Sequence, residues 1–100
     1  MSKPSPAGKS GSVGFTVTSD NRVVIAVTGQ TVNVERSVGL ILNHMSDGEL
    51  YDIEKLREIG GYATQGMVKT MLGVMSARLR DIGIEVFWFG PLLVRLRRVK

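Results

Sequence analysis

From Gly14 to Val34, apolar and polar residues alternate with a period of two through GFTVTSDNRVVIAVTGQTVNV, interrupted by Ser-Asp-Asn at 19–21 and Gly-Gln at 29–30. Such runs of Val, Ile, Thr and Phe between turn residues predict strand, turn, strand, turn, strand. Connections this short admit only antiparallel pairing, and the alternation implies one buried face. The period then lengthens. Asn33 is placed to cap a helix through ERSVGLILNHM, where Val38, Ile41, Leu42 and Met45 share one side, and Ser46-Asp47-Gly48 stops it. Glu49 to Tyr51 reads as a short extended link. Asp52 caps a second helix with Ile53, Leu56 and Ile59 on its apolar side, closed by Gly60-Gly61. Thr64 caps a third and longest helix, whose stripe of Val68, Met71, Leu72, Met75, Leu79 and Ile82 steps by three and four up to Gly83. IEVFW, the turn Phe89-Gly90-Pro91 and LLVRLRRV then predict a hairpin with Arg95 and Arg97 in a charged row. The predicted order is β-β-β-α-α-α-β-β, an α+β chain without internal repeat. Alternation in the hairpin turns Phe87 and Phe89 inward and leaves Trp88 exposed; the alternative is that Phe87, Trp88, Phe89 and Pro91 form an exposed cluster at its tip.

Residues 1–12 (MSKPSPAGKSGS) hold almost nothing to bury and read as a disordered tail ahead of one domain over 13–100. A chain of 100 residues supports one small core. It has no cysteine and one histidine, which excludes disulfides, thiolate nucleophiles and zinc clusters. His44, alone and near a helix C-terminus, suits the helix dipole better than a ligand set. Asp52 with Glu54 or Glu49 pairs carboxylates without any pocket signal, phosphate loop or nucleophile motif, so the chain reads as a non-enzyme with no metal and no cofactor. No apolar run nears the length of a bilayer span and no secretory leader is evident, so we expect a cytoplasmic protein without a membrane partner.

The net charge is +4, and it is unevenly spread. Through Gly60 the basic residues Lys3, Lys9, Arg22, Arg36, Lys55 and Arg57 are outweighed by seven acids. From Gly61 onward, Lys69, Arg78, Arg80, Arg95, Arg97, Arg98 and Lys100 face only Asp81 and Glu85. The positive field therefore belongs to the third helix and the hairpin, where a polyanion would bind. At 100° per residue, Gly66, Thr70, Gly73 and Ala77 lie opposite the core stripe of that helix, with Lys69, Ser76 and Arg80 on one flank and Arg78 on the other. Two helical glycines cost on the order of 1 kcal/mol each relative to alanine, which is understandable if this face is approached closely by a partner; the alternative is that they accommodate a neighbouring helix or simply loosen the segment. Gln65, Lys69, Thr70 and Ser76 are placed to reach base edges or phosphates.

Three helices between a leading sheet and a basic hairpin resemble the winged helix-turn-helix effector domain of OmpR/PhoB-type response regulators. Gly48-Glu-Leu-Tyr-Asp52-Ile-Glu-Lys-Leu56 is similar to that family's entry into its second helix. Arg78-Leu79-Arg80, preceded by Leu72 and Val74, is similar to the end of its recognition helix, and Ile84-Glu-Val-Phe-Trp-Phe-Gly90 stands at its wing. Departures are Gly66 and Gly73, Ser76 in place of an aliphatic residue, the aromatic wing and the lack of a receiver domain. The resemblance implies a stand-alone, sequence-specific regulator of transcription that binds double-stranded DNA, with the third helix in the major groove and the wing on the backbone or minor groove. The residues implied are Gln65, Lys69, Thr70, Gly73, Ser76, Arg78 and Arg80 on the helix and Arg95, Arg97 and Arg98 on the wing. It also allows a homodimer or head-to-tail array on DNA. The competing expectation is a protein-protein interaction module whose partner meets the small-residue helix face or the aromatic wing.

Overall fold

The computed structural model describes residues 13–99, so the predicted tail over 1–12 lies outside the described residues. Three strands, β1 (Phe15–Val17), β2 (Val23–Ala26) and β3 (Thr31–Asn33), form an antiparallel meander in that order. The pairing Phe15 with Ala26 and Val17 with Val24 turns Phe15, Val24 and Ala26 into the core, while Thr16, Ile25 and Thr31 line up on the outer face. The β1–β2 turn is tied by the Asp20 carboxylate, which accepts from the Thr18 hydroxyl at 2.6 Å and the Arg22 amide at 3.2 Å.

Helix α1 (Arg36–His44) starts later than the sequence suggests. Asn33 is consumed as the last residue of β3, opposite Val23, and Glu35 takes the N-cap position without a side-chain hydrogen bond. The apolar side of α1 is as expected, with Val38, Ile41 and Leu42 buried. After a single 3-10 turn over Met45–Asp47, the chain does not run on as a bare link. Tyr51–Asp52 form a short strand, β4, paired with the last strand of the chain. Asp52 then caps α2 (Ile53–Gly60), accepting from the Glu54 amide at 2.7 Å, and Thr64 caps α3 (Gln65–Arg80), accepting from the Met67 amide at 3.2 Å.

Strands β5 (Ile84–Trp88) and β6 (Leu93–Arg98) form the terminal hairpin, and β6 lies in the centre of a second three-stranded antiparallel sheet, β4-β6-β5. The protein is thus α+β, with three helices and two small antiparallel sheets around one core. The six-membered stripe of α3 and its exit is buried throughout, against Ile41 and Leu42 of α1, Leu56 of α2 and Val94 and Leu96 of β6. The phase of β5 is opposite to the inward placement of Phe87 and Phe89. Ile84 is buried immediately after the turn from α3, which forces Val86 and Trp88 to the core side and Glu85, Phe87 and Phe89 to the outer side.

Candidate nucleic-acid interface

Because the stripe of α3 is anchored in the core, its opposite face is open. Gly66, Thr70, Gly73 and Ala77 are all exposed. A Cβ at Gly73 would meet no described atom within 4 Å beyond its own helical backbone and chain neighbours, and one at Gly66 would touch only the Thr64 hydroxyl at 3.8 Å. Neither glycine, then, is there to admit a neighbouring helix of the same molecule.

The two flanks of this ridge differ in chemistry. One faces the hairpin. At its start Gln65 donates through Nε2 to Glu54 of α2 at 3.0 Å; Lys69 is exposed and Ser76 half-buried. At its end Arg80 lies 3.8 Å from the Glu85 carboxylate, which also accepts from Arg97 Nε at 3.1 Å. Glu85 therefore joins the last turn of α3 to the outer face of β6. The Arg97 guanidinium in turn lies over the Phe87 ring, 3.9 Å from its centre. Arg95, cross-strand from Phe87, is exposed on the same outer face. The result is one surface bearing Arg80, Arg97 and Arg95, with Glu85 embedded in it, and Lys69 lies on the same side of α3 as Arg80, about three turns earlier. The hydrogen bond from Arg97 and the positive charges around it hold the Glu85 carboxyl below its usual range despite partial burial. Glu54 is brought down to about 2, first by its hydrogen bonds from Arg57 and then by that from Gln65. It stays ionised and keeps the first turns of α2 and α3 together at neutral pH.

The other flank faces α1 and the leading sheet. Arg78 donates to the Asn33 carbonyl at 3.3 Å. Beside it runs an apolar groove of about 830 Å³ lined by Val34, Val38, Tyr62, Met67, Met71 and Val74, and by Gly66 and Thr70 of the ridge itself. Met67 (48% exposed) and Val74 (63% exposed) are the residues that sequence reasoning missed. They sit seven apart, just outside the core stripe, and that spacing is the signal that would have found them. Arg98 also stands apart from Arg95 and Arg97. It pairs with Ile84 on the inner side of the hairpin and donates to the Val13 carbonyl at 3.4 Å, so it ties the two sheets together. The structure thus brings together Arg80, Arg95 and Arg97, with Lys69 exposed farther along the same side of α3 and Thr70, Gly73 and Ser76 on or beside the ridge. It turns Arg78 and Arg98 toward the leading sheet.

Among the described residues no helix is long and apolar enough to cross a membrane, and no group of three His, Cys, Asp or Glu is placed to hold a metal ion. Comparison with protein-family models, curated proteins and solved structures finds no match for this chain.

Proposed function

We propose that this chain is a winged helix-turn-helix protein that binds double-stranded DNA as a sequence-specific regulator, with α3 in the major groove and the β5–β6 hairpin along the backbone or adjacent minor groove. The observation that carries the reading is the joint between Arg80, Glu85 and Arg97. It joins the last turn of α3, where the open ridge ends, to the outer arginines of the hairpin, so that both are offered to one partner. Small side chains at Gly66, Thr70, Gly73 and Ala77 let the helix approach closely, and Thr70 and Ser76 are within reach of base edges. Lys69, Arg80, Arg95 and Arg97 take the phosphates. Arg78 and Arg98, committed to backbone carbonyls, act through the fold.

Four such phosphate contacts give a slope of log K against log salt of about −3.6, and Lys69→Ala or Arg95→Ala lowers its magnitude by about 1 each. A random-duplex selection at two salt concentrations, followed by titration of the enriched duplex, measures both the motif and the slope. Retention that ignores salt, or that survives Lys69→Glu with Arg80→Glu in a folded protein, overturns the proposal.

The groove beside α3 favours a second reading, a protein-interaction module whose partner seats an apolar residue between Met67 and Val74. A chain with no affinity for any duplex, but whose association with a partner is lost on Val74→Asp, fits that reading and not the first.

A further inference from the structure

The tip of the β5–β6 hairpin differs from the rest of the cationic surface. Phe89, Gly90, Pro91, Leu92 and Leu93 are consecutive exposed residues without a charge among them. Phe87 lies beneath the Arg97 guanidinium and Trp88 packs on the core, so of three successive aromatic residues it is Phe89, 61% exposed, that presents a bare ring. Leu92, in the same turn, is 46% exposed.

This tip is held, not loose. The Phe89 amide donates to the Leu93 carbonyl at 2.8 Å, and the Leu92 carbonyl accepts at 2.9 Å from the amide of Ile53, the first residue of α2. Gly90 supplies the positive φ of 93° that the turn needs, and the Pro91 ring fixes the next φ. A tip ordered before it binds loses little freedom on binding. The same contacts locate it: Ile53 joins the tip to the start of α2, and Glu54, one residue on, is bonded to Gln65 at the start of α3. The tip and the N-terminal turn of α3 therefore share one end of the molecule.

An exposed apolar tip marks a contact site. Its size argues against a second copy of the chain, since a stable protein interface covers roughly 800 Å² per partner, far more than one Phe, one Pro and two Leu offer. The charges behind it argue for a partner that is anionic outside and apolar within. Arg95 and Arg97 occupy the outer face directly behind the tip, with Glu85 bonded to Arg97 and Glu49 beside them farther from the tip, while Asp52 on β4, cross-strand from Leu93, is turned to the amide of Glu54. The stacked interior of a duplex, entered between two phosphate strands, has that character.

We propose that the hairpin tip is a wedge: Phe89, together with Leu92 of the same turn, enters a base-pair step from the minor groove and kinks the duplex, while Arg95 and Arg97 hold the flanking phosphates. This rests on the DNA-binding reading above and adds an activity to it. The kink falls next to the segment read by the start of α3, and it favours steps that unstack easily, TpA and CpA, at positions no side chain reads by hydrogen bonding.

The test uses the whole chain and a duplex of about 30 base pairs with a central TpA step, carrying fluorophores at both ends. Energy transfer reports bending, anisotropy reports affinity, and sedimentation reports mass. The wild type is expected to bend the duplex by on the order of 20–90°. Phe89→Ala with Leu92→Ala is expected to abolish the bend and the preference for TpA over ApA, while the salt slope stays unchanged. Phe89→Ala alone serves if the double variant melts early. A duplex bound without a bend, or a bend that survives the double variant, overturns the wedge and leaves DNA binding standing. Failure of the folded wild type to bind any duplex overturns both. A variant that loses a dimer instead of a bend shows that the tip joins copies of the chain, and likewise overturns the wedge.

Discussion

Gly39 and Gly73 both interrupt helices, for opposite reasons. In α1, a Cβ at Gly39 would overlap the backbone carbonyl of Asn21 at the β1–β2 turn, so the helix and the sheet meet there only because the side chain is missing. Asn21 itself sits at φ 62°, a conformation that asparagine tolerates better than most residues. Gly39→Ala should therefore destabilise the protein by about 2–3 kcal/mol, as overpacking of a rigid contact does. Gly73 faces open space in α3, and Gly73→Ala should stabilise by about 1 kcal/mol, raising Tm by roughly 4–8 °C for a domain of this size. Thermal melts of the two variants check both signs, and duplex titration of Gly73→Leu, whose bulk would stand off a groove wall, checks whether the ridge is a contact face. Spacing made the openness of Gly73 readable, because its place opposite the core stripe follows from the helical period. The contact of Gly39 with Asn21 was not readable, because it joins residues far apart in the chain whose meeting depends on how the sheet docks.

At the scale of elements, the helices were legible and the strands only half so. The six apolar positions of α3 fix which face is buried, and Asp52 and Thr64 cap as their chemistry predicts. A strand has two faces and only its neighbours say which is inside, so alternation gave the period of β5 while its phase waited on Ile84. For the same reason β4 was invisible: two residues have no period, and Tyr51 and Asp52 are a strand only because β6 lies alongside. What secures that strand is a polar knot under it. The buried Asp47 carboxylate accepts from the Glu49 amide at 3.0 Å and from the Tyr51 hydroxyl at 2.6 Å, and His44 meets the Tyr51 ring edge-on at 4.8 Å. Burial, and then the hydrogen bond to Asp47, push the Tyr51 phenol from its ordinary 10 up to about 12. A pKa raised on folding contributes stability that is complete below the unfolded value and is lost as pH rises through the folded one. Unfolding free energy should therefore fall between pH about 10 and about 12, and Tyr51→Phe should lower stability at neutral pH while flattening that alkaline loss. Denaturant melts across this window measure it.

For the molecule as a whole, the charge asymmetry seen along the chain becomes an asymmetry in space, but not for every residue that contributed to it. Arg78 and Arg98 raise the same net charge as Arg80 and Arg97, yet their guanidinium groups are directed to the carbonyls of Asn33 and Val13. A count of basic residues cannot distinguish a cation that faces a partner from one that fastens two sheets. The bond from Arg98 to Val13 also brings the first described residue of the core beside the last strand, with Gly14 leaving room for the guanidinium. A few glycines and serines would suffice to join Val99 back to Val13 and make a ring of the domain, which reopened in the exposed β2–β3 turn at Thr28 and Gly29 gives a circular permutant. Its far-ultraviolet spectrum and melting should match those of the parent, since neither sheet loses a strand pairing, whereas the same cut within α3 should abolish folding.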